Sequence, residues 1–188
     1  MKTLISILAM AMALNAGGVL GFKFGDTSAN VDKILKAKGC IKKDYEGKGA
    51  YIYTLDKFGG IDCDNLILLE NEGKQIIKSV IVTAADYEVS AFSEYTILKN
   101  ALTKKYGETK MDEHFYRSPY SKGDGYANQA FRMGKGFKYT SWETEETTIF
   151  MELKADSNSK FYIKISYEDR KLMAEFVEKK KEIESGEL

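Results

Sequence analysis

The chain has 188 residues, enough for one medium-sized domain, and 44% of them are apolar, including 12% that are aromatic. One proline and sixteen glycines are far from the composition of a disordered linker. Basic and acidic residues number 28 each, so the formal net charge is zero. This balance gives no overall field that would draw the protein onto nucleic acid, and we expect no nucleic-acid partner.

The first 21 residues have the order of a secretory signal peptide. Lys2 precedes an apolar run over residues 4–14, and small residues follow the run. The run is shorter than the ~20 residues that a membrane-spanning helix needs, so we predict no stable membrane span. Cleavage after Gly18 and cleavage after Gly21 both fit the pattern. The predicted localisation is secreted or periplasmic.

Two cysteines, Cys40 and Cys63, are present. Export favours a disulfide between them, which would stabilise the fold by on the order of 3 kcal/mol. The alternative is a pair of buried, unreactive thiols. Together with His114, the only histidine, the cysteines are too few for a zinc site, and we expect no metal or other cofactor.

Residues 22–87 make up the predicted first half of the fold. Asp26, Thr27 or Ser28 is the expected N-cap of a short helix that ends at Gly39. Three β-rich runs follow, and turns at residues 59–60 and 71–74 separate them. This pattern predicts a helix followed by three antiparallel strands.

Residues 88–167 make up the predicted second half. Apolar side chains recur three or four positions apart over residues 88–106, which predicts an amphipathic helix before Gly107. Strands are then predicted over residues 111–117, 130–133, 137–144, 147–154 and 160–167. Residues 168–188 predict a charged surface helix with a thin apolar stripe, formed by Leu172, Phe176 and Ile183.

The two halves have a similar order of elements. Each has a helix that ends at a glycine, then a hairpin and a long closing strand, and LKAKGC in the first half corresponds in place to LTKKYG in the second. We therefore predict an α+β fold in which two helix-plus-antiparallel-sheet repeats form one curved sheet, followed by a C-terminal surface helix.

The phrase FGDTSANVDKILKAKG, residues 24–39, resembles the opening of the repeat found in SmpA and in the beta-lactamase inhibitor protein (BLIP). The later pattern of KYG at residues 105–107, Trp142 and a closing strand at residues 165–167 is similar to that of uncharacterised secreted proteins of gut bacteria. The resemblance implies a fold with a curved antiparallel sheet. It assigns no binding residue to this chain.

The most unusual segment covers residues 114–142. Asp124 is its only acidic residue, whereas five residues are basic and eight are aromatic. Tyrosine, tryptophan and arginine bury large areas in interfaces at low entropic cost. The candidate binding residues are Arg117, Tyr120, Tyr126, Arg132, Tyr139 and Trp142. The alternative is ordinary sheet whose tyrosines fill the core.

Sequence motifs for catalysis are absent: the chain has no G-x-S-x-G, no P-loop and no dinucleotide fingerprint. We therefore predict no catalytic residue and no enzyme. The predicted function is that of a secreted or periplasmic binding protein that recognises a protein, a glycan or another envelope component through a sheet face. The alternative is a small exported hydrolase that uses carboxylates in a pocket.

Overall fold

The computed structural model describes residues 18–186, which fold into four helices and nine strands. The helices are α1 (Ser28–Ala37), α2 (Glu88–Tyr106), α3 (Ala127–Arg132) and α4 (Arg170–Gly186). The strands are β1 (Lys42–Lys43), β2 (Ala50–Thr54), β3 (Lys57–Phe58), β4 (Ile61–Glu70), β5 (Ile76–Thr83), β6 (Met111–Tyr116), β7 (Gly136–Glu143), β8 (Thr147–Ala155) and β9 (Phe161–Asp169). The predicted α+β class, the antiparallel sheet and the C-terminal helix are confirmed.

The ends of the first two helices follow local sequence signals. Thr27 is the N-cap of α1, and its hydroxyl accepts a hydrogen bond of 3.4 Å from the backbone N–H of Asn30. Gly39 follows the helix with a φ of 82°, a conformation that glycine adopts without strain. Gly107 ends α2 with a φ of 88°.

The segment over residues 130–133 is part of α3, so the strand predicted there is wrong. Asp124 organises the approach to this helix, because its carboxylate accepts hydrogen bonds from the backbone N–H groups of Ser121 and Tyr126. Ala130 and Phe131 are buried on adjacent positions of a single helical turn. Such a short apolar run has no measurable periodicity, so a strand and a buried helical turn look alike in sequence.

The strands form one sheet in the order β1-β2-β4-β5-β9-β8-β7-β6, with β3 paired to β4 beside this path. The strands that precede α2 lie on one side of the sheet and those that follow it lie on the other. Strands β5 and β9 join the two sides by antiparallel pairing, in which Ile81 is opposite Ile165.

Helices α1, α2 and α3 cover one face of this sheet. On α1, Asp32 accepts a hydrogen bond of 3.0 Å from the hydroxyl of the buried Tyr53 in β2. On α2, Tyr95 contacts Thr140 of β7 through a hydroxyl–hydroxyl hydrogen bond of 2.8 Å. Alternate strand residues point to this helix side and form the core, namely Leu66, Leu68, Ile81, Trp142, Ile149, Met151, Ile163 and Ile165.

Helix α4 lies at one end of the sheet and has no buried residue. It contacts β5 and β9, and with the turn between β4 and β5 it borders a groove of about 230 Å³. Phe176 and Ile183 line this groove. The helix is therefore a surface element, as its charged sequence predicts.

The structure contains both cysteines as free thiols, so the predicted disulfide between Cys40 and Cys63 is absent. Ile41, which follows Cys40, accepts a hydrogen bond from Thr54, and the backbone N–H of Cys63 donates to Asp56. The chain over residues 54–56 thus lies between the two cysteine segments, which places them two strand spacings, or about 9.6 Å, apart. A disulfide needs Cα atoms about 4.4–6.8 Å apart.

The alternative interpretation of the cysteines agrees with this arrangement. Burial raises the pKa of the Cys40 thiol, and it raises that of Cys63 to about 12. Because the thiolate is the reactive form, both side chains are poor nucleophiles in the folded protein.

Candidate binding surface on the open sheet face

The sheet face opposite the three helices carries four aromatic residues on neighbouring strands, which we name the open-face cluster: Phe115 of β6, Phe137 and Tyr139 of β7, and Phe150 of β8. Thr140 and Trp142 of β7 point to the helix side, so Phe137 and Tyr139 point the other way. The register places Phe115 directly opposite Phe137. The cluster therefore belongs to the face that no described helix covers.

The four rings are in continuous contact. Phe115 stacks on Phe137 with ring centres 5.0 Å apart and an angle of 17° between the ring planes. Phe115 also meets Tyr139 edge-to-face at 6.3 Å, and Tyr139 lies 5.6 Å from Phe150. These separations fall within the range of favourable aromatic pairs, about 4.5–7 Å. The packing fixes the rings in one arrangement before any partner binds.

Arg117 adds a positive charge to one edge of the cluster. Its guanidinium carbon lies 4.7 Å from the centre of the Phe137 ring, which is cation–π geometry. The backbone N–H of Arg117 donates to the carbonyl oxygen of Lys135 at 2.7 Å, so the residue is held where β6 ends. The guanidinium is thus available beside the rings to an acidic or hydrogen-bonding group.

Charged residues border the cluster on its other side. Glu152 is directly opposite Tyr139, and Lys164 is directly opposite Glu152 on the next strand. The Glu152 carboxylate lies 2.8 Å from the Lys154 amine and 3.5 Å from that of Lys164. These pairs are partly exposed and contribute little to stability, but they surround the apolar rings with polar groups, as at the rim of an interface.

A row of residues in register continues from the cluster across the sheet. Phe150 is opposite Ser166, which is opposite Val80. Val80 is opposite Ile67, and Ile67 is opposite Ile52. These residues share the open face because they are in register. Ser166 and Val80 are only 7% and 8% exposed, so the row is covered at its centre and does not extend the exposed surface of the cluster.

Two of the six predicted binding residues, Arg117 and Tyr139, belong to this surface. Trp142 does not, because its side chain is 0% exposed and lies in the core. Its indole N–H donates to the Thr103 hydroxyl of α2 at 3.3 Å. Trp142 and Tyr139 are three positions apart in one strand and so lie on opposite faces. We therefore correct the role of Trp142 from binding to core packing.

The other three predicted binding residues lie near α3. Tyr120 is half-buried in the loop after β6, and Tyr126 precedes α3 with 59% of its surface exposed. Arg132, at the end of α3, donates to the Ser159 hydroxyl at 3.0 Å. The structure does not bring these side chains into the open-face cluster.

Sequence reasoning missed Phe115, Phe137 and Phe150. The first two lie within residues 114–142, at odd-numbered positions like those of Tyr139 and Arg117. This shared spacing could have identified them, because alternate side chains of a strand lie on the same face and a partner contacts one face at a time. Phe150 lies outside the segment, and only the sheet register connects it to the others.

The acidic residues around His114 do not converge on a metal site. Asp112 forms an ion pair with Lys99 and accepts a hydrogen bond from Thr140, both on the helix side. Glu113 points to the other face, since it is the next residue in the strand. Within residues 18–186, no group of three or more potential ligands is arranged to hold a metal ion.

His114 is also on the helix side, between aromatic rings. Its ring centre lies 5.6 Å from that of Phe92, and its Nε2 is 3.1 Å from the Tyr116 hydroxyl. Burial lowers its pKa, and the charges of Lys138 and Lys122 lower it further. The imidazole is therefore neutral at neutral pH.

Glu94 of α2 lies in an environment that favours the protonated form of its carboxyl group. Burial raises the pKa of its carboxyl, and the charges of Asp86 and Asp62 raise it further. One of these two acids, Asp62, itself forms an ion pair with the Lys57 amine at 2.7 Å. Glu94 lies on α2, on the side of the sheet opposite the open-face cluster.

Within the described part of the chain, no helix is long and apolar enough to cross a membrane. No family model, curated protein or solved structure matches the chain. The functional proposal therefore rests on the geometry of the open-face cluster.

Proposed function

We propose that this is a secreted or periplasmic, non-enzymatic binding protein that recognises a protein or glycan, such as an envelope component, through the open-face cluster. The observation that carries the proposal is the contact of Phe115, Phe137, Tyr139 and Phe150 on a sheet face that no helix within residues 18–186 covers, with Arg117 stacked at the edge. Phe115 is exposed and the other three rings are half-buried, and apolar surface of this kind with a polar border is typical of interaction sites.

The chemistry of the cluster suits a ligand with both apolar and polar groups. Rings that already contact one another lose little conformational freedom on binding, so less binding free energy is lost to ordering them. Phe115 is 36% exposed and offers part of its ring to such a ligand. Arg117 provides hydrogen-bond donors beside it for a carboxylate or hydroxyl group.

Export is part of the same proposal. Residues 1–17, which contain most of the predicted signal peptide, lie outside the described residues. Val19 is 3% exposed and belongs to the core, which supports cleavage after Gly18 over cleavage after Gly21, since the latter removes Val19. We expect the intact mass of protein recovered from a secreting host to match a chain that starts at Val19. A mass that includes Met1 would contradict export with cleavage.

A pulldown tests the binding face. Protein lacking residues 1–18 is compared with a variant that carries Phe115→Ser, Phe137→Ser and Tyr139→Ser. We expect the variant to capture its partner from envelope and extracellular extract at least about ten-fold less well, because aromatic anchors dominate interface energetics. Circular dichroism and thermal unfolding confirm that both proteins are folded.

A matched control carries Tyr45→Ser, Tyr87→Ser and Tyr126→Ser, which removes three exposed tyrosines away from the cluster. Capture by this control should equal that of the unmodified protein. Equal capture by all three proteins would refute the open-face cluster as the binding site.

The tandem repeat and its resemblance to the SmpA and BLIP type of fold stay predictions. The order of elements supports the repeat: α1 precedes β1 to β5, α2 precedes β6 to β9, and the last strands of the two halves are neighbours. The halves, residues 22–87 and 88–167, stay predictions as well. The start of α2 at Glu88 supports the boundary between them, whereas β9 continues to Asp169, two residues past the predicted end of the second half.

A further inference from the structure

The two edges of the sheet differ in length and character. Strand β1 forms one edge and consists only of Lys42 and Lys43, a short charged strand that discourages edge-to-edge pairing. Strand β6 forms the other edge with six residues, and β7 is its only partner strand within residues 18–186. The longer edge is therefore open to pairing with a further strand.

The register shows which backbone groups of β6 point outward. The N–H of Arg117 donates to Lys135, so the odd-numbered residues of β6 make the hydrogen bonds to β7. In an antiparallel pair the intervening residues direct their backbone N–H and C=O groups away from the partner strand. Asp112, His114 and Tyr116 thus present donors and acceptors along the free edge.

On the open face of the sheet, β6 and Arg117, the residue that follows it, form a symmetric side-chain pattern. Phe115 is at the centre, with Glu113 two positions before it and Arg117 two positions after it. A strand with an acid and a base at equal distances from a central aromatic residue is complementary to itself in antiparallel orientation. Glu113 and Arg117 are both exposed and have no ion-pair partner among the described residues.

We propose that two copies of the protein dimerise through β6, with Phe115 opposite the partner's Phe115 across the two-fold axis. Glu113 is then opposite the partner's Arg117, and the reverse pair forms on the other side of the axis. The outward backbone groups of His114 and Tyr116 exchange hydrogen bonds with those of the partner's Tyr116 and His114. Opposite charges at directly facing positions stabilise an antiparallel pair.

Neighbouring registers lack this complementarity. A shift by two residues in one direction places Phe115 opposite the partner's Glu113, and a shift in the other direction places it opposite the partner's Arg117. A shift by one residue places each residue whose backbone groups point outward opposite a partner residue whose backbone groups point inward. The two strands then cannot form hydrogen bonds with each other. Charge pairing, aromatic pairing and hydrogen bonding therefore coincide only in the proposed register.

The dimer would join the two open-face clusters into one aromatic surface across the axis. It does not depend on the proposed binding function, because its test requires no ligand. The protein could dimerise without binding a partner, or bind a partner as a monomer. Failure of the dimer proposal is therefore distinguishable from failure of the proposed binding function.

Sedimentation equilibrium over a range of concentrations, with protein lacking residues 1–18, tests the dimer. We expect Glu113→Arg and Arg117→Glu, each alone, to raise the dimer dissociation constant at least about ten-fold, since each creates two like-charge pairs. The double variant Glu113→Arg/Arg117→Glu restores opposite charges and should return to within about three-fold of the original value. Glu46→Arg, at an exposed position of the loop between β1 and β2, far from β6 in the strand order, is the charge-matched control and should have no effect.

Cysteine crosslinking tests the register. Phe115→Cys places two thiols at a facing pair whose Cα atoms are about 4.5 Å apart, within disulfide range, so mild oxidation should give a covalent dimer. Arg117→Cys places its two thiols about 13 Å or more apart and should not crosslink. A protein that is monomeric at every concentration, a double variant that stays dissociated, or crosslinking through position 117 instead of 115 would overturn the proposal.

Discussion

Replacing Trp142 with alanine is expected to destabilise the protein by about 3–5 kcal/mol, the usual cost of removing a fully buried large aromatic side chain. Trp142 is 0% exposed on the helix side of β7, opposite Ile149 of β8. The substitution would leave a cavity between the sheet and α2. It would also leave the Thr103 hydroxyl without the indole N–H that it accepts.

Chemical denaturation followed by circular dichroism measures this effect. Tyr126→Ala is the control, because Tyr126 is an exposed aromatic residue of the same sequence segment, and we expect it to change stability by no more than about 0.5 kcal/mol. If Trp142→Ala unfolded at the same denaturant concentration as the unmodified protein, Trp142 would not be a core residue.

Replacing Ile165 with alanine is expected to cost about 2–5 kcal/mol. Ile165 lies in β9, is fully buried, and is opposite Ile81 on one side and Met151 on the other. It is therefore at the junction through which the two sides of the sheet share a core. Its loss should lower the stability of both sides together.

Two spectroscopic probes measure whether the sides unfold together. Trp142 is the only tryptophan, so its fluorescence reports on the second half, whereas far-UV circular dichroism reports on the whole chain. We expect the two signals to give one coincident transition, which moves to lower denaturant concentration in Ile165→Ala. Two separate transitions would contradict a shared core.

Much of the fold follows from local patterns in the sequence. Helix α2 begins and ends where the three-to-four spacing of apolar residues begins and ends, and Gly107 stops it. The alternation in β9 predicts a strand with one covered face, and Ile163 and Ile165 are buried on that face. These elements are long enough for their periodicity to be unambiguous.

The strand order could not be read from the sequence. Pairing between β5 and β9 brings together residues such as Ser79 and Tyr167, which are far apart in the chain. Likewise, the separation of Cys40 from Cys63 depends on the chain segment that lies between them in the sheet. Such long-range neighbours depend on the whole topology and not on local propensity.

The open-face cluster was predictable in part. Composition draws attention to residues 114–142, and this segment includes Tyr139 of the cluster and Arg117 at its edge. Composition does not show which way a side chain points, however. Because side chains alternate along β7, Tyr139 lies on one face of the sheet and Trp142 on the other. Which face remains open depends on where the helices pack, and this is decided only in the folded chain.

Hydroxyl-radical footprinting read by mass spectrometry tests the central claim most directly. The protein without residues 1–18 is labelled with and without envelope and extracellular extract, and the oxidation of individual aromatic residues is compared. We expect the extract to reduce the labelling of Phe115, Phe137 and Tyr139, while Tyr45, Tyr87 and Tyr126 are labelled as before. Protection of the second set alone, or of neither set, would contradict the open-face cluster as the binding surface.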